Sequence, residues 1–139
     1  MSPEVIFRKL AAMGRYLEDL STHRHDSFAQ FMAEHYKIER LIELLVMCAS
    51  DIAFHVLSLK GELPPGSYRA AFLRLGEMSV LEAQLSKNLA LGAGLRNILA
   101  HEYEEIDYRL LHKSIGRILD DMGRFAEAVS AIHFESDDL

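Results

Sequence analysis

Residues 38–61 read IERLIELLVMCASDIAFHVLSLKG, and the spacing of the apolar residues in this stretch decides the fold class. Ile38, Leu41, Ile42, Leu45, Ala49, Ile52 and Val56 recur at intervals of three and four, which gathers them on one stripe of an α-helix. Gly61 stands where a helix closes on a left-handed residue, and Pro64-Pro65 blocks continuation. At the other end Asp26 is a side-chain cap, so the pattern predicts one helix over residues 26–60. Such a helix extends about 50 Å. That is longer than a compact chain of 139 residues needs, and a bend or a protruding end is expected.

Working outward, Ser2 and Pro3 suit the N-cap and first position of a helix over residues 3–20, with Val5, Leu10, Met13, Leu17 and Leu20 inward. After the loop GELPPGS, a short helix is expected over residues 68–75, ended by Gly76. Ser79-Val80-Leu81-Glu82 reads as a capping box that starts a helix through Leu89 or beyond. Gly92 and Gly94 are placed to bend or interrupt it before Leu95-Arg96-Asn97. Asp107 caps a last helix over residues 108–132, whose stripe is Leu111, Ile115, Ile118, Leu119, Met122, Phe125, Ala126 and Val129. The acidic tail FESDDL is expected to fray. There is no sustained period-two alternation and no Asn-Gly or Asp-Gly hairpin signal. The expectation is an all-α chain, an antiparallel bundle of four to five helices forming one domain over residues 1–139.

Composition narrows the function classes. Half the residues are hydrophobic and only three are proline, which argues against disorder. The single cysteine, Cys48, excludes an internal disulfide framework, and its apolar context LLVMCAS reads as a core thiol rather than a nucleophile. The run 41–59 is interrupted by Glu43, Asp51 and His55, which argues against a membrane span. The opening MSPEVIFRKL, with Glu4 early, lacks the pattern of a signal peptide. A soluble, cytoplasmic protein is expected. The net charge of −6 excludes a broad electrostatic grip on nucleic acid, so RNA contact would be local. The same charge suits a partner with a basic surface.

The chemistry-bearing stretch is GLRNILAHEYEEID, residues 94–107. In a continuous helix Arg96 and Tyr103 share one face and Asn97 and His101 another, while Arg96 and His101 point about 140° apart. For both to act on one phosphate, the helix must end or kink between them, or a second subunit must complete the site. The residue types suit RNA cleavage. An imidazole moves protons near neutral pH. A guanidinium offers fixed planar donors to a crowded phosphorane. A phenol can bind phosphate or accept a transferred group. The 2′-hydroxyl is an internal nucleophile, so no metal is required.

The string Arg96-Asn97-Ile98-Leu99-Ala100-His101-Glu102-Tyr103 resembles the R-N-x-x-x-H-x-Y signature of HepT-like proteins, a minimal branch of the HEPN superfamily. IERLIELLVMCASDIAFHVLSLKG, PPGSYRAAFLRLGEMSVL and EIDYRLLHKSIGRILDDMGRFAEAV resemble the flanking blocks of that family, so the likeness covers residues 28–125. The resemblance implies a HEPN-type bundle and a homodimer with Arg96 and His101 lining a cleft at the two-fold interface. It implies metal-independent endoribonuclease activity on RNA, often tRNA, in the toxin half of a type VII toxin–antitoxin system. It also implies a nucleotidyltransferase antitoxin, MntA-like, that uses ATP to place AMP on Tyr103 and so repels RNA. The chain itself would carry no cofactor. Asn97 would orient His101.

Two further sets of residues are singled out. Arg40, Leu44, Met47, Asp51 and His55 form one helical stripe, read either as a polar network at a dimer seam or, for Asp51, as support beside the active cleft. His23-x-His25-Asp26 could hold a divalent ion only loosely, with no clear fourth ligand, so no metal is expected. Tyr68 is assigned a packing role. A second functional reading treats the bundle as a non-catalytic HEPN module that docks or activates a partner nucleotidyltransferase.

Overall fold

A computed structural model describes residues 3–95, 98–99 and 103–134. Among them the regular elements are α1 (Glu4–Ser21), α2 (Phe28–Ala33), α3 (His35–Leu59), α4 (Tyr68–Glu77), α5 (Ala83–Gly92), a 3-10 turn (Tyr103–Glu105) and α6 (Tyr108–Ser130). The all-helical expectation holds. The centre of the bundle is α3, which packs against α1, α2, α4 and α6, while α4 packs on α5.

The apolar stripe that predicted α3 is its buried face: Ile38, Ile42, Leu45, Ala49, Ile52 and Val56 are all fully buried. Each Ile, Leu and Val among them contributes roughly 1.5–3 kcal/mol of transfer free energy. By length and composition α3 is apolar enough to cross a bilayer, and 56% of its most apolar window is buried within the bundle. From α4 and α6, Phe72 and Phe125 meet edge to face in the core, ring centres 5.7 Å apart.

The single helix expected over residues 26–60 is two helices. The chain breaks at Glu34, whose φ of −122° and ψ of 19° leave the helical region. The cap of α2 is Ser27, not Asp26: the Ser27 hydroxyl accepts from Gln30 N, and the Gln30 side chain accepts from Ser27 N. Asp26 is committed elsewhere. Its carboxylate accepts from His23 Nδ1 at 2.7 Å, and its carbonyl accepts from His112 Nε2 at 2.6 Å, which ties the turn before α2 to α6. The break lets α2 fold back on α6 instead of extending α3 into solvent.

Gly61 closes α3 as expected. It has φ +77°, Gly61 N donates to Ser58 O, and Glu62 N donates to Leu57 O at 3.0 Å, the paired bonds of a Schellman cap. Two other boundary expectations fail, those for Gly76 and Ser79, and the Ser2 cap is not tested. Ser2 lies outside the described residues, and α1 is preceded by Pro3 with no side-chain cap bond. Gly76 does not end α4, which runs on to Glu77; it is the point where α4 approaches Ser86 of α5. Ser79 is not the cap of α5: it takes the left-handed turn at φ 60°, and Glu82 is the residue before Ala83. Asp107 caps α6 as expected, its carboxylate accepting from Leu110 N at 3.1 Å.

Candidate active site

Asp51, about two turns from the end of α3, lines a groove of about 570 Å³ together with Phe54, His55, Ser67, Tyr68 and Ala93. Three elements build it. The open face of α3 supplies Asp51, Phe54 and His55. The cap of α4 supplies Ser67, whose hydroxyl is fixed by accepting from Ala70 N at 3.0 Å. Ala93 follows α5 directly, three positions before Arg96 in the sequence. Tyr68 sits edge-on to Phe54, ring centres 5.1 Å apart at 85°, so it packs as expected. It nevertheless stays 40% exposed, which leaves part of the ring open to the groove.

The electrostatics of this groove are local and mixed. Lys9 Nζ of α1 reaches Asp51 Oδ2 at 3.3 Å, with both side chains partly open to solvent. Burial pushes His55 below its ordinary value of 6.5, the Lys9 ammonium pushes the same way, and Asp51 pulls against both. The imidazole is therefore biased toward its neutral form, able to donate and to accept. Burial, the largest influence, raises the Cys48 thiol above 9.0, so it is half-buried and protonated, consistent with packing rather than nucleophilic use.

A second groove of about 300 Å³ lies toward the start of α3, between Tyr36, Glu39, Arg40, Glu43, Leu99 and Tyr108. Glu39 Oε2 accepts from His35 Nδ1 at 2.6 Å. Burial and the nearby Glu39 carboxylate hold the Tyr108 phenol above its ordinary value of 10.0. Residues 93 and 99, either side of Arg96 and Asn97 in the sequence, thus border two different grooves on the same helix.

Of the residues singled out from the sequence, Arg96, Asn97 and His101 lie outside the described residues. For Tyr103 the backbone is described: it opens the 3-10 turn Tyr103–Glu105. Ala93 and Gly94 are turn residues, whereas Ile98 and Leu99 are helical. The stretch 94–107 is therefore not one uninterrupted α-helix, because it ends in the 3-10 turn at Tyr103–Glu105; the 140° separation expected of Arg96 and His101 concerns residues outside the described ones. On the stripe of α3, Leu44, Met47, Asp51 and His55 are half-buried and Arg40 is exposed, so that face is partly open in the single chain. His23 Nδ1 is taken by Asp26, and no cluster of three metal-ligating side chains occurs among the described residues.

Lys9 was missed. Its partner is 42 positions away, and no local pattern marks such a pairing. The contribution of Ser67 was also missed, although a serine ahead of an apolar helical stretch, as Ser67 precedes Tyr68 here, is a recognisable cap signal.

Residues 13–129 match the family model described as ribonuclease HepT-like. Over 134 residues, covering 94% of this chain and 91% of the relative, the sequence is 29% identical to a protein named tRNA nuclease HepT from Aphanizomenon flos-aquae. It is 27% identical over 131 residues to one named mRNA nuclease HepT from Shewanella oneidensis, with 92% and 98% coverage. Among solved structures, the tri-AMPylated HEPN toxin of Shewanella oneidensis in complex with an MNT antitoxin superposes with a TM-score of 0.83 at 25% identity. That match covers 92% of this chain and 98% of the toxin chain. A toxin–antitoxin structure with AMP-PNP, at a TM-score of 0.81 and 23% identity, has the same fold. The chain therefore belongs to the ribonuclease HepT-like family, and its enzymatic class is that of a ribonuclease.

Proposed function

We propose that the chain is the toxin of a type VII toxin–antitoxin pair, a metal-independent endoribonuclease acting on RNA, with tRNA as the favoured substrate class. The observation that carries this reading is the family match over residues 13–129, which encloses the whole string from Arg96 to Tyr103. The names of the relatives, tRNA nuclease and mRNA nuclease, support RNA as the substrate.

In this reading the 2′-oxygen attacks its own phosphorus while His101 takes the hydroxyl proton. Arg96 holds the phosphate oxygens. The P–O5′ bond breaks, the 5′-oxygen is protonated, and a 2′,3′-cyclic phosphate and a 5′-hydroxyl remain. Asn97 orients His101, and Asp51 supports the site from the adjoining groove. Two copies join to form the cleft. The partly open face of α3, with half-buried Leu44 and Met47 between Arg40 and Asp51, supports a seam of that kind.

The partner is a nucleotidyltransferase antitoxin, and the pairing of a HEPN toxin with an MNT antitoxin in the superposed structure supports it. That enzyme brings ATP. The Tyr103 oxygen attacks the α-phosphorus, pyrophosphate leaves, and each added AMP places negative charge beside the phosphate-binding groups. The pair works in the cytoplasm.

The test is cleavage of RNA by the purified protein with EDTA present, read by end-group analysis. Cyclic phosphate ends from the wild type and none from Arg96→Ala support the reading. A folded wild type that cuts nothing, yet binds the nucleotidyltransferase tightly, would replace it with a non-catalytic docking module.

A further inference from the structure

The groove of Asp51, His55, Ser67 and Tyr68 faces away from the buried stripe of α3. We infer that it is a base-recognition subsite, which takes one ribonucleotide of the RNA next to the cut phosphate and prefers a base bearing an exocyclic amine.

This inference rests on the ribonuclease reading and adds to it a determinant of sequence preference. Five observations carry it. At about 570 Å³ the groove is within the size range of small-molecule sites. Tyr68, 40% exposed and braced edge-on by Phe54, offers an aromatic surface of the kind on which unpaired bases stack. Asp51 supplies a carboxylate, an acceptor that suits the exocyclic amines of cytosine and adenine at the position where uracil presents the acceptor O4. Lys9 beside Asp51 places a cation at this rim of an otherwise acidic chain, where a neighbouring phosphate would pass. Ala93 in the groove wall lies three positions from Arg96 in the sequence, so at most about 11 Å of chain separates the subsite from the residue proposed to hold the phosphate.

Two measurements separate this inference from the reading it rests on. In the first, short RNAs differing by one nucleotide beside the cut are compared for wild type, Tyr68→Leu and Tyr68→Phe. The subsite predicts that the wild type prefers amino-bearing bases over uracil. It also predicts that Tyr68→Leu raises KM at least about fivefold for the preferred substrate and flattens the preference, while Tyr68→Phe retains both. Cleavage with no base preference, or a preference untouched by Tyr68→Leu, overturns the subsite and leaves the ribonuclease standing. In the second, the four ribonucleoside 5′-monophosphates are titrated into the full chain and the Tyr68 ring and His55 resonances are followed by NMR. Shifts with CMP or AMP and none with UMP support the subsite even if no RNA is cut. Equal shifts with all four, or none with any, overturn it.

Discussion

Gly76 of α4 lies so close to Ser86 of α5 that a Cβ built on Gly76 would stand 2.6 Å from the Cβ of Ser86 and nearer still to its hydroxyl oxygen. That hydroxyl is buried and donates to the carbonyl of Phe72 at 2.7 Å, one turn before Gly76. The α4–α5 pair is thus closed by a glycine and a serine acting together, and this pair brings Ser67 and Tyr68, at the start of α4, and Ala93, after the end of α5, to the same groove.

Gly76→Ala is expected to destabilise the protein. Replacing a helical glycine by alanine ordinarily gains about 0.8–1.0 kcal/mol. Here the overlap with Ser86 costs about 1–3 kcal/mol, and displacing its buried hydrogen bond costs about 1 kcal/mol more, so the clash wins. Gly14→Ala and Gly123→Ala, at helical positions with nothing within 4 Å of the added Cβ, are expected to stabilise. Urea unfolding of the three variants checks the opposite signs.

Gly61→Ala tests the end of α3. With φ at +77°, a side chain there costs about 1–2 kcal/mol although the space around it is open. The measurement is the denaturation midpoint, with Gly66→Ala, which has ordinary φ and no neighbour within 4 Å, as the matched control.

The pH dependence of stability should carry a signature of His55. Its folded value lies below 6.5 because burial and Lys9 disfavour the imidazolium. The unfolded chain therefore binds the proton more readily. The contribution is fully present above 6.5 and is lost as pH falls through the lowered folded value. Thermal unfolding at a series of pH values from 7.5 downward should show a decline that is shallower in His55→Gln. An identical slope in the variant would contradict this assignment.

Modification of Tyr103 is expected to be selective. Co-expression with an MntA-like nucleotidyltransferase should add one or more adenylyl groups by intact mass, and Tyr103→Phe should add none while leaving the α-helical spectrum unchanged. Transfer to Tyr36 instead, the tyrosine 79% exposed on the second groove, would move the regulatory site.

The stripe of α3, the Gly61 closure and the Asp107 cap were legible because each is written in residues a few positions apart. The break at Glu34 was not, because its cause is distant: His112 holds Asp26 from 86 positions away, so α2 is turned back by α6 and not by a local breaker. Gly76 was misread for a similar reason. A glycine near a helix end and a glycine at a helix crossing look alike until Ser86 is placed opposite. At the candidate site, the Arg96-to-Tyr103 string and Asp51 came from the sequence, whereas Lys9, 42 positions from Asp51, needed the packing of α1 on α3.

The claim that Arg96 and His101 form one RNA-cutting site is tested most directly by comparing wild type with His101→Ala on the same RNA in EDTA, after matched circular dichroism and matched native mass. Cleavage by the wild type that leaves 2′,3′-cyclic phosphate ends, with at least about a hundredfold loss in His101→Ala, is the predicted result. Equal cleavage by the two proteins would contradict it.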